Sequence, residues 1–178
     1  MPLPKKQPKI WPLMSTYDLE LLSDRHDRSG FRCGKESLER YLRETAKGHL
    51  LKGVSVTRVL AEQGARAPVP ILGYFTLTTI LAEAANWPGA AKGLPTMPVP
   101  IVLLGRLAVG LDWQGKGIAR LLLAAAREIA ASSMRGTGGI GLAGDAADEE
   151  LVGFYEKFGF KRIGDDSLRL FLTVSSLC

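Results

Sequence analysis

Gln114-Gly115-Lys116-Gly117-Ile118-Ala119 decides how this chain is read, because of what stands on either side of it. Ile101 to Val109 is an apolar run of strand length, and Gly117 to about Ser132 carries Ala and Leu at helical spacing. A glycine has no Cβ, so two of them at this junction let the backbone pass close to a ligand. The first N–H groups of a helix have no partner inside it and lie at the positive end of its dipole. Strand, glycine loop and helix together predict a seat for a phosphate or pyrophosphate.

The kind of loop narrows by exclusion. No GxxxxGK[ST] occurs in the chain, and Arg120 stands where a G-x-G-x-x-G fingerprint needs its third glycine. No strand ending in an acidic residue follows at the distance that holds a ribose hydroxyl. The segment instead resembles the Q/R-x-x-G-x-G/A signature of the GNAT superfamily of N-acetyltransferases, with Gln114, Gly117 and Ala119 at the three signature positions. That resemblance implies an α/β, GNAT-like fold whose mixed, largely antiparallel sheet is flanked by helices. It implies acetyl-CoA as cofactor, its pyrophosphate held by Gln114, Gly115, Lys116, Gly117, Ile118, Ala119 and Arg120. It further implies that the backbone around Leu107, Ala108 and Val109 meets the thioester and pantetheine, with a donor near Val109 for an oxyanion. Packing in the core is the ordinary use of the Leu107 and Val109 side chains, and both uses are compatible.

A second segment agrees. Asp148-Glu149-Glu150 places negative charge at the start of a short helix, and Gly159 stands at its C-terminal end. Leu151, Phe154, Tyr155 and Phe158 fall at i, i+3, i+4 and i+7 and share one face. By spacing alone Tyr155 is a core aromatic. The string Phe154-Tyr155-Glu156-Lys157-Phe158-Gly159-Phe160, however, resembles the late GNAT helix whose tyrosine lies beside the cofactor sulfur. The resemblance makes Tyr155 the general acid that protonates the departing thiolate; an ordinary phenol stays protonated at pH 7, as a donor must.

The third segment refines the resemblance. Phe31-Arg32-Cys33-Gly34 precedes an amphipathic stretch with Leu38, Tyr41, Leu42, Thr45 and Ala46 on one face. Glu36 with Arg40 and Glu39 with Arg43 have the spacing of i,i+4 ion pairs. With Leu104-Gly105-Arg106-Leu107-Ala108-Val109, this segment resembles the GNAT toxins of bacterial type II toxin–antitoxin systems, and the likeness runs from about Asp24 to Leu172. It implies an aminoacyl-tRNA substrate acetylated on its α-amino group, a ribbon-helix-helix antitoxin, a homodimer, and Cys33 buried far from the cofactor loop. Arg106, on the strand face opposite Leu107, is the candidate for a tRNA phosphate; an ordinary surface salt bridge is its plainer reading.

Global properties agree with that class. The chain has 178 residues, enough for one N-acetyltransferase domain spanning 1–178, with 46 % hydrophobic content and mean hydropathy +0.07. No run of 18 apolar residues occurs, so no membrane span is expected. Residues 1–14 carry four prolines and Lys5, Lys6 and Lys9 without an apolar core, and read as a loose arm rather than a signal peptide. Two cysteines, Cys33 and Cys178, suggest no disulfide framework and hence a cytoplasmic setting; two histidines, His26 and His49, without ligand spacing argue against a metal site. Net charge is +5, and the segment 25–52 holds eight basic and four acidic residues. That excess suits a phosphate-rich partner and equally a solvated helix face.

The remaining elements are expected as follows: a first strand including Leu19 to Leu21; a helix from about Lys35 to Lys47; a hairpin of Val54–Glu62 and Ile71–Ile80 joined through Gly64–Pro70; a loop from Trp87 to Pro100 with a short helix near Leu81 to Ala85; a strand over Gly138–Ala143; and terminal strands over Phe160–Ile163 and Leu168–Val174. Three functions compete: a toxin acetylating aminoacyl-tRNA, an acetyltransferase for a small amine or protein N-terminus, and a catalytically idle cofactor-binding module.

Overall fold

In the computed structural model residues 16–177 are described; the N-terminal arm and Cys178 lie outside them. Among the described residues nine strands and five α-helices follow in this order: β1 Tyr17–Leu21, β2 His26–Asp27, α1 Glu36–Arg40, α2 Ala46–Leu51, β3 Val56–Glu62, β4 Val69–Pro70, β5 Gly73–Ala82, β6 Val99–Val109, α3 Ile118–Thr137, β7 Gly141–Asp145, α4 Glu149–Glu156, β8 Lys161–Arg162, β9 Arg169–Thr173 and α5 Val174–Leu177. Seven strands form one sheet in the order β1-β3-β5-β6-β7-β9-β8, while β2 and β4 pair separately. Every pairing in the large sheet is antiparallel except β6 with β7. This is the mixed, largely antiparallel sheet expected.

The strand period of two distributes β5 and β6 between two layers. Phe75 and Leu107 pack with α3, whereas Tyr74 and Ala108 pack with Tyr41, Leu42 and Ala46 on the other face. Helix α3 buries Ile118, Leu121, Leu122, Ala125, Ala126, Ala130 and Met134. Its alanines let the helix lie close to the sheet, and its leucines supply the apolar area that drives the contact. Between Thr76↔Arg106 and Leu77↔Leu104 the register shifts, leaving Gly105 as an extra residue in β6. This bulge resets the alternation, so that Leu104 and Leu107, three apart, both face α3.

Several expected boundaries move. No helix forms near Leu81 to Ala85, because β5 continues to Ala82 and pairs Leu81 with Pro100 and Ala82 with Val99. Helix α3 runs on to Thr137 and stops at Gly138 (φ 82°), which delays the next strand to Gly141. The helix expected from Lys35 to Lys47 extends to Leu51 and contains a π-helical turn over Tyr41–Thr45. The Gly64–Pro70 turn holds β4, which pairs with β2, and Val174 begins α5 instead of ending β9. Such ends depend on tertiary pairing partners that local pattern does not contain. Among the described residues no helix is long and apolar enough to cross a membrane.

Candidate active site

A turn over residues 114–117 follows a 3₁₀ turn at Leu111–Trp113, and α3 begins at Ile118 with no side chain capping it. Gly115 (φ 73°) and Gly117 (φ 84°) occupy the left-handed region, and a Cβ on either would meet nothing within 4 Å. Glycine is therefore demanded by backbone conformation rather than by crowding. The Leu121 N–H returns to the Gly117 carbonyl (3.2 Å), so the amides of Ile118, Ala119 and Arg120 precede the first helical bond and stand open at the positive end of a 20-residue helix. The Gln114 side chain faces inward: Nε2 donates to the carbonyls of Cys33 and Val109, each at 3.0 Å. It holds the loop against β6 and the segment before α1.

Beside this loop the sheet opens. Pairing of β6 with β7 ends at Leu104↔Gly144, and among the described residues no strand pairs with 105–109 on that side. Gly110 N–H donates to Leu72 O toward β5 (2.8 Å), so the period of two turns the amides of Val109 and Leu107 toward the opening. A cleft of about 370 Å³ fills the wedge. Leu107, Ala108 and Val109 line it from β6, Gln114 and Ala119 from the loop and α3, and Asp148, Leu151 and Phe154 from α4 and its cap. Of the other predicted cofactor residues, Ile118 packs its side chain in the core. The Lys116 ammonium lies 4.9 Å over the Trp113 ring, and Arg120 lies 5.9 Å from the Phe158 ring centre. Arg106 is on the opposite face as expected, but no carboxylate pairs with it among the described residues; its guanidinium stacks 3.6 Å over the Tyr41 ring.

Tyr155 is fully buried and does not itself line the cleft. Its ring packs against Phe154 (5.9 Å) and Phe160 (5.2 Å). Gly144 of β7 lies beneath it, where a Cβ would come within 3.3 Å of the ring. The hydroxyl has no hydrogen-bond partner among the described residues. Burial first, and then the charge of Asp145, push the phenol well above its ordinary pKa. Asp145 is itself held by Arg169 through bonds of 2.6 and 2.9 Å. An orphaned donor costs free energy unless something outside the chain receives it. Open helix amides and an unzipped strand edge on this cleft are together a donor set that fits a phosphorylated thioester such as acetyl-CoA.

Two sequence expectations need correction. Cys33 is buried, and burial raises its thiol pKa, but it lies on the cleft beside the loop and not far from it. The Gln114 bond and a Leu111 N–H bond to Arg32 O (2.8 Å) draw residues 32–34 in. Among the described residues neither expected i,i+4 ion pair forms, Glu36 with Arg40 or Glu39 with Arg43; Arg43 reaches Glu36 and Glu44 instead. Glu39 turns inward and accepts the amides of Cys33 (2.8 Å) and Gly34 (2.9 Å), which hold its carboxyl below the usual range. The i,i+4 spacing concealed this, because an acceptor for loop amides leaves no periodic mark. Sequence reasoning also gave Lys35 no role; its ammonium reaches Asp148, the N-cap of α4, across the cleft.

Comparison with known proteins agrees with this fold. The profile of the Acetyltransferase (GNAT) domain matches residues 59–162, from β3 through β8. A tRNA-acetylating toxin of Mycobacterium tuberculosis (strain ATCC 25618 / H37Rv) is 31% identical over 154 residues, 85% of this chain and 88% of that protein. The crystal structure of a tyrosine-to-phenylalanine mutant of KacT superposes with TM-score 0.83 at 27% identity, over 91% of this chain and 97% of that one. AtaT complexed with acetyl-methionyl-tRNAfMet superposes with TM-score 0.80 at 28% identity, over 90% and 96%. A mutant AtaT toxin bound to the C-terminus of the antitoxin AtaR and acetyl-CoA gives TM-score 0.74 at 26% identity, over 90% and 95%. With its signature loop on an open helix end beside a parted sheet, and with these relatives, the chain belongs to the GNAT acetyltransferases.

Proposed function

We propose that this acetyltransferase moves the acetyl group of acetyl-CoA onto the α-amino group of aminoacyl-tRNA, as a toxin that halts translation. The observation that carries the reading is the meeting, at one cleft, of the uncapped start of α3 and the unpaired edge of β6. The likeness to tRNA-acetylating relatives supplies the acceptor. Acetyl-CoA, when bound, supplies an acetyl group activated as a thioester.

In this reading the amides of Ile118, Ala119 and Arg120, with the loop of Gln114, Gly115, Lys116 and Gly117, hold the pyrophosphate. Leu107, Ala108 and Val109 present backbone to the pantetheine arm, and a donor near Val109 holds the charge that develops on the carbonyl oxygen. Tyr155, neutral at pH 7 as any phenol is and held more firmly so by burial, gives its proton to the leaving sulfur. An α-amine titrates near 7.7–8.0, so a usable fraction is neutral at pH 7 without a strong base. Arg106 is assigned to a tRNA phosphate near the acceptor end.

The proposal extends to a single domain over residues 1–178, a cytoplasmic homodimer, and a neutralising antitoxin of ribbon-helix-helix type. An antitoxin as partner is supported by the AtaT–AtaR complex. Incubation with labelled acetyl-CoA and bulk charged tRNA tests the core of it: label is expected in the aminoacyl group. Label only on small amines or protein N-termini moves the protein to an ordinary acetyltransferase.

A further inference from the structure

The cleft contains one charged contact that this chemistry leaves unused. Asp148 caps α4 with one oxygen, Oδ1, accepting from Leu151 N–H at 2.9 Å. The other oxygen, Oδ2, receives the Lys35 ammonium, and both residues line the cleft. Their side chains are 47% and 42% exposed, so the pair is of the weak, exchangeable kind. Lys35 follows directly on Cys33 and Gly34, whose amides Glu39 holds, so its backbone is anchored while its side chain can swing.

Charge says what the second oxygen suits. Asp148 and Glu150 put carboxylates on the cleft of a protein with net charge +5. Carboxylates repel phosphates and attract cations. The cation already found on Oδ2 is a primary ammonium, and an acceptor amine arrives largely as a primary ammonium at pH 7.

We infer that Asp148 is a positioning residue for the acceptor: its Oδ2 receives the substrate's α-ammonium, and Lys35 occupies that place until the acceptor enters. The inference rests on the amine-acetylating reading above but not on the acceptor being RNA. One ammonium replaces another on the same oxygen, so charge is conserved. The Lys35 ammonium passes into water, and the α-ammonium, drawn in by Oδ2, leaves that oxygen and gives one proton to water before its nitrogen attacks as the neutral amine, since the carboxylate favours the charged form.

Steady-state kinetics of the whole enzyme with two acceptors, aminoacyl-tRNA and an amino-acid methyl ester, test this. Asp148→Asn keeps the capping oxygen, since Asn caps as well as Asp, and removes the charge from Oδ2. It is expected to raise KM for both acceptors roughly tenfold, with kcat and the KM for acetyl-CoA moving less than about twofold. Lys35→Met, which removes the competitor, is expected to lower acceptor KM by about twofold to threefold. If the pair is only a strap between loop and helix, both variants lose the same strap and acceptor KM moves in the same direction. That result, or no change in either variant, overturns the inference. If the ester responds as stated while tRNA takes no label, the RNA reading fails and this one stands. If tRNA is acetylated but Asp148→Asn leaves its KM unmoved, the reverse holds.

Discussion

Tyr155 sits where packing and chemistry make opposite demands. Its ring belongs to the core beside Phe160 and over Gly144, and every ångström of that burial is favourable. Its hydroxyl is buried with no acceptor, which is unfavourable. Tyr155→Phe should therefore separate the two. Removing the hydroxyl is expected to leave the melting transition unchanged or raise stability by about 1 kcal/mol, the cost of an unsatisfied buried donor. The same change should lower kcat by roughly 10²–10⁴-fold if the hydroxyl is the acid. Calorimetric melting and single-turnover acetylation check the pair of outcomes; unchanged kcat would remove Tyr155 from the mechanism.

At the scale of elements, the loop 114–117 and the segment before α1 are one unit. Gln114 ties the loop to Cys33, and Glu39 ties Cys33 and Gly34 to α1. Gly117 stands at φ 84° with open space around it. Gly117→Ala should thus cost about 1–2 kcal/mol of left-handed strain with no steric clash. It should also weaken acetyl-CoA binding about tenfold, because relaxation of the loop turns the first amides of α3 away from the ligand; titration calorimetry reads this directly. Glu39 carries a pH signature. Its folded pKa is depressed below the ordinary 4.5 by the two amides, so its charge stabilises the fold above that value, and the contribution is lost as pH falls through the folded pKa. Glu39→Gln should melt lower than the parent at neutral pH, and the gap should narrow as pH falls below the ordinary 4.5 and close only once pH has passed below the depressed folded pKa, where the parent carboxyl is neutral as well.

At the scale of the whole molecule, the two substrates see different fields. A polyanionic acceptor gains from the net charge of +5 and from exposed cations such as Arg40 and Lys52, and releases counterions when it binds. Raising salt from 50 to 200 mM should increase KM for charged tRNA by at least about tenfold, while KM for an amino-acid ester changes little. An equal salt response of both acceptors would show that the protein does not grip nucleic-acid phosphates.

Much of this architecture was legible in the chain because it rests on local rules. Gly115 and Gly117 between an apolar run and an alanine-rich helix are needed for a left-handed turn leading into an uncapped helix, whatever lies around them. Likewise the stripe through Leu151 and Tyr155, and Asp148 ahead of it, follow from helical spacing and capping alone. Where β5 ends, how far α3 runs and which way Glu39 turns were not legible, since each depends on partners distant in sequence. Gln114 has a place in a local signature, yet its side chain serves Cys33, 81 residues away. The cleft itself exists only because β6 and β7 part after Leu104 and Gly144, and a strand pattern records which residues can pair but not where two strands separate. Pattern along the chain thus sufficed for the elements and the chemistry they offer, and tertiary packing alone decided which side chains face the cleft and which hold its walls.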